Sequence, residues 1–119
     1  MKDISHLVEE IIPKELWKLK VTYVVLTKKG PIVISSGFEF DQASVGIARL
    51  LISKTELGIL STLTHDWLYR NKGGIGDLVF TRKEADHIFL EHMRVLGISR
   101  WKRLTAYHVI RAVSWMFWG

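Results

Sequence analysis

The hydrophobic pattern changes period once, near Asp41, and that switch constrains the fold more than any other feature of the chain. Before it, apolar side chains alternate. Trp17, Leu19, Val21 and Tyr23 fall on one face and Lys18, Lys20 and Thr22 on the other, the two-residue repeat of a half-buried strand over 17–26. Residues 32–35 and 38–40 read as further strand segments, separated by Ser36 and Gly37, where a glycine suits a bend. Beyond Asp41 the repeat is helical. Ser53 and Glu56 have capping-box spacing, and Leu57, Leu60, Leu63, Thr64, Trp67 and Leu68 recur at helical intervals, predicting a helix that ends near Arg70.

Thr81 and Glu84 form a second capping box ahead of a stripe of Ala85, Ile88, Phe89, His92 and Leu96, with Gly97 where a left-handed helix end belongs. Ser99 is placed to cap a last helix whose apolar face would hold Trp101, Leu104, Ala106, Tyr107, Ile110, Val113 and Phe117. The glycine-rich stretch 71–76 follows a helix and lacks the lysine and hydroxyl ending of a phosphate-cradling loop, so it reads as a flexible connector. The expected fold is α+β: one domain over 1–119, a small N-terminal antiparallel sheet packed against about three C-terminal helices.

Composition narrows the chemistry. With 119 residues, 48% of them hydrophobic and 24% charged, there is enough apolar material for one core and not for two. The absence of cysteine removes disulfide scaffolds, thiolate metal sites and thiol nucleophiles. A net charge of +5 permits attraction to an anionic ligand without identifying one. Acids interrupt the apolar residues of the first fifteen positions, so no secretory signal is recognisable, and no run approaches the roughly 20 apolar residues of a membrane span. The expected location is the bacterial cytoplasm or, for a viral chain, the host cytoplasm or the virion.

The chemistry-bearing segment is 64–70. His65 and Asp66 adjoin in the last turns of a helix that already has four leucines for packing, so a polar group is expected to receive them. Imidazole and carboxylate together suit zinc, manganese or iron(II), whose bound water would be the nucleophile. The plainer account pairs Asp66 with Arg70 at i,i+4 and stacks His65 on Tyr69. Asp86, four residues after Arg82, is either a surface pair or an acid held by its arginine and aimed at His65. Asp41 ends a strand, where loops carry function on rigid supports, or is a turn aspartate. His92 reads as a core histidine, while His6, His87 and His108 lie off the site.

Gly37, Phe38, Asp41, Ala43 and Ser44, then His65, Asp66, Leu68 and Tyr69, then Arg82, Glu84 and Asp86 with Phe89, Leu96 and Gly97, resemble the successive signatures of domain of unknown function family 1353. The resemblance covers about 20–118. Gly46 stands where the family pattern usually has proline. The family has no assigned activity and a phage and bacterial context, which implies an accessory or virion component. It draws attention to Asp41, His65, Asp66 and Asp86 as catalytic or metal-binding, and to Ser44, Tyr69 and Arg82 as contacts for substrate.

Three functions follow as expectations. The first is a small metal-dependent hydrolase in which Asp41, His65, Asp66 and Asp86 hold one divalent ion, while Arg70 and Arg82 hold a phosphoester or amide substrate. The second is a non-enzymatic phage structural or partner-binding protein, with Trp115, Phe117 and Trp118 as a surface for a partner or a second copy. The third is a nucleotide or nucleic-acid binder.

Overall fold

The computed structural model describes residues 7–11, 16–40 and 59–118, and the architecture is α+β. The N-terminal part builds two antiparallel sheets rather than one. β1 (Val8–Ile11), β2 (Leu16–Leu19) and β5 (Glu39–Phe40) form a three-stranded sheet with β2 central. Its register sets Val8 against Leu19 and Trp17 against Phe40. β3 (Tyr23–Thr27) and β4 (Gly30–Ile34) make a separate hairpin, Tyr23 opposite Ile34.

The single strand expected over 17–26 is therefore broken between Leu19 and Tyr23. The cause is non-local: the Leu19 amide donates to the Phe38 carbonyl at 2.9 Å and the Lys20 amide to the Leu7 carbonyl at 2.8 Å. These bonds complete the pairing of β2, and the chain bends before the next ladder begins. Val21, expected on the inner face, sits in this bend and is 47% exposed. Alternation resumes afterwards, with Val25, Ile32 and Ile34 buried under the hairpin.

α1 (Ile59–Arg70) ends where the leucine pattern predicts; the capping box at Ser53 and Glu56 lies outside the described residues. The stretch expected to be a flexible connector is instead a small hairpin, β6 (Gly74–Ile75) against β7 (Leu78–Val79). Gly73 makes it. At φ +82 its amide donates to the Leu68 carbonyl at 2.9 Å, ending α1, and its carbonyl accepts from the Phe80 amide at 2.8 Å. A Cβ there would lie 1.8 Å from the Phe80 carbonyl oxygen, so only glycine lets the two backbones approach.

α2 (Arg82–Val95) opens with the expected box: the Thr81 hydroxyl accepts from the Glu84 amide at 3.1 Å and Glu84 accepts from the Thr81 amide at 2.8 Å. Gly97, at φ +86, closes it, and Ile98 donates back to Met93. α3 (Arg100–Val113) starts at Ser99, whose side chain makes no capping bond, and α4 (Trp115–Trp118) follows after one turn residue. The core of α3 is Ala106 and Ile110. Trp101 was expected on that face but lies nine residues from Ile110, half a revolution away at about 100° per residue, and is 65% exposed. One apolar cluster joins the sheets to α1, and a second, built on Phe89, Met93, Ile98, Ala106 and Ile110, joins α2 to α3.

Candidate functional site

α1 and α2, joined through the β6–β7 hairpin, pack antiparallel, so the end of one meets the beginning of the other. This brings His65, Tyr69, Arg82 and Asp86 together. His65 Nε2 lies 2.7 Å from Asp86 Oδ1. The Tyr69 hydroxyl donates to the same oxygen. Arg111, from α3, donates to Asp86 Oδ2 at 2.9 Å, and Arg82 Nη1 stands 3.5 Å from that oxygen. Asp86 is fully buried, and each of its carboxylate oxygens is occupied by donors.

A second layer fixes those donors. Arg82 also reaches the Arg111 carbonyl and Ser114 Oγ, each at 3.3 Å. Ser114 Oγ lies 2.7 Å from the Tyr69 hydroxyl and 2.5 Å from the Ile110 carbonyl, so its one proton is shared between two acceptors. The His65 ring packs between Tyr69, centroids 4.2 Å apart, and Phe89, 5.0 Å apart. Trp118 stands edge-on to Tyr69 at 4.9 Å and closes the network from outside.

Burial pushes the His65 imidazole below its ordinary value, against the pull of Asp86, so the ring is neutral. Its Nε2 then carries the proton donated to Asp86. Burial by itself raises the Asp86 carboxyl, but the bonds from His65, Tyr69 and Arg111 outweigh it and hold the group below the usual carboxylate range. Burial and the neighbouring carboxylate raise the Tyr69 phenol. The result is one anion balanced by two guanidiniums, with a neutral imidazole and a neutral phenol as further donors.

Asp66 is not part of this cluster. Its neighbour on the helix surface is Arg70, whose Nη2 lies 3.7 Å from Asp66 Oδ2 while the guanidinium covers the Phe38 ring at 5.5 Å. Two adjacent helical residues point about 100° apart, which separates Asp66 from the direction His65 takes. Asp41 and Ser44 lie outside the described residues. Among the described residues, no group of three or more histidine and acidic side chains is arranged to hold a metal ion.

Arg111 and Ser114 were not singled out from sequence. Their signal was weak: both flank Ile110 on the inward side of the last helix, one and four residues on, and a serine ending an apolar stripe is the kind of residue that needs an internal partner. Of the aromatics expected on a contact surface, Trp118 turns inward and Trp115 outward; the side chain of Phe117 lies outside the described residues. No described helix is long and apolar enough to cross a membrane.

A family model described as protein of unknown function (DUF1353) matches residues 17–110. No curated protein and no solved structure matches the chain.

Proposed function

The chain belongs to the family described as protein of unknown function (DUF1353), and since that description assigns no chemistry, we propose its role from the site. We infer a non-catalytic domain, a phage-type structural or partner-binding component, in which the Asp86 network fastens α1, α2 and α3. The observation that carries this reading is the saturation of Asp86. A carboxylate that ligates a metal or takes up a substrate proton needs an open lone pair directed at that partner, whereas His65 and Tyr69 occupy Oδ1 here and Arg111, with Arg82 at 3.5 Å, faces Oδ2. A divalent cation beside Asp86 would also stand against the positive charges of Arg82 and Arg111. Those two arginines are half-buried and spend their donors on Asp86, the Arg111 carbonyl and Ser114, which leaves less of their charge for a phosphoester or nucleic acid.

A fully satisfied polar network of this kind specifies one arrangement of the helices it joins. It keeps rigid the surfaces around it, including the outward-facing Trp115 and Met116 of α4, an apolar pair suited to contact with another protein.

The test is thermal unfolding of the purified chain with and without zinc and manganese, together with metal analysis. The reading expects no bound stoichiometric metal and a midpoint unchanged by either ion. Stoichiometric metal accompanied by a midpoint rise on adding it, lost in Asp86→Asn, would restore the hydrolase reading.

A further inference from the structure

The tip of the β3–β4 hairpin and one face of α2 enclose a groove of about 760 Å³, lined by none of the side chains of the Asp86 network. That volume is in the range of sites for small molecules. Lys29 closes one end: its Nζ donates to the Val79 carbonyl at 2.5 Å and to Glu84 Oε1 at 2.7 Å, above the Phe80 ring. The walls are apolar, supplied by Leu26, Phe80, Ile88 and Val95. Leu26 is 83% exposed on the hairpin lip, on the face opposite buried Val25.

The charges on the groove are unequal in availability. Its two acids are engaged, Glu84 by Lys29 and Glu91 by Arg94. Two of its three lysines are not: among the described residues, neither Lys28 nor Lys83 is paired with a carboxylate. His92 stands toward the other end of α2, nine residues from Lys83. Its Nδ1 is buried without a partner, so a proton placed there would have no acceptor, and the neutral ring carries its proton on Nε2. The residue lines the groove.

We propose that this groove binds a small amphipathic anion, its carboxylate, phosphate or sulfonate head held by Lys28 and Lys83 and its apolar body lying along Leu26, Ile88 and Val95 toward the other end of α2. The apolar walls alone would accept any hydrophobic compound. The unengaged lysines beside neutralised acids select the anionic one. The site stands on residues separate from Asp86 and does not depend on the role assigned to that network.

The experiment is titration of the full chain with octanoate, followed by amide and imidazole resonances. Saturable shifts are expected at residues 26–29 and 83–95, including the His92 ring, with octylammonium failing to produce them. Leu26→Asp and Lys83→Glu change exposed side chains and leave the fold intact; each is expected to weaken octanoate by about tenfold, the loss of one good contact. Shifts absent or scattered over the surface, equal binding of octylammonium, or unchanged affinity in both variants would overturn the proposal. The Asp86 reading would survive any of these results, since its own test is metal and stability.

Discussion

Replacing Asp86 by Asn is the sharpest perturbation of the network, because it removes one charge and almost no volume. The amide oxygen can keep the bonds from His65 and Tyr69, but the amide nitrogen then faces Arg111 Nη1, where Oδ2 now accepts at 2.9 Å. Two donors meet, and Arg82 and Arg111 lose their common anion. Breaking a buried ion pair by removing one partner costs about 3–5 kcal/mol. The low end applies, since the arginine side chains keep 22% and 29% of their exposure and can recover some hydration. At about 2.1 cal/mol/K per residue, 119 residues unfold with an entropy near 0.25 kcal/mol/K, so about 3 kcal/mol lowers the midpoint by about 12 °C. The assay is calorimetry at pH 7 beside Glu91→Gln, which breaks the surface pair with Arg94 and should shift the midpoint by no more than about 2 °C. If Asp86→Asn melted within that same margin, the carboxylate would not be the fastener inferred here.

Tyr69→Phe removes the hydroxyl between Asp86 and Ser114 and should cost about 1–2 kcal/mol in urea unfolding, less than the aspartate change because Arg111 and His65 remain. Gly73→Ala should abolish the soluble folded chain or lower its midpoint beyond any surface variant, while Gly76→Ala, also at positive φ but with open space around it, should cost about 1 kcal/mol. Acid should destabilise the protein in two stages. Burial depresses His65 and pushes His92 down to about 4, so the unfolded chain takes up protons first as pH falls below 6.5. For His92 this amounts to about 3 kcal/mol lost between pH 6.5 and 4, and His92→Gln should flatten that part of a stability-against-pH curve. Asp86, held low by its donors, adds a further loss only below its ordinary value of 3.8.

Much of this architecture was legible in the sequence wherever the signal was local. The capping box of Thr81 and Glu84, the left-handed Gly97 and the end of α1 at Arg70 depend on neighbours a few residues away, and each is found as read. The meeting of His65 with Asp86 was also readable, from two helices lying antiparallel across the glycine loop. What escaped depended on partners distant in the chain. The break after Leu19 is set by the carbonyls of Phe38 and Leu7, which no alternation pattern encodes. The outward turn of Trp101 follows from the rotational phase fixed by Ala106 and Ile110, two modest side chains that a tally of large aromatics overlooks. Arg111 joins the network from the third helix, and as one arginine among several its place next to Ile110 marked it only weakly as internal.

The state of the His65 ring tests the central claim most directly. Nitrogen-15 spectra of the imidazole should show the neutral Nε2–H form at pH 8 and still below pH 6.5, with no line broadening on addition of manganese, because burial keeps the ring uncharged and Asp86 accepts the bond from its Nε2–H. A ring that titrated near its ordinary 6.5, or broadened selectively with manganese, would show an open site and contradict the account.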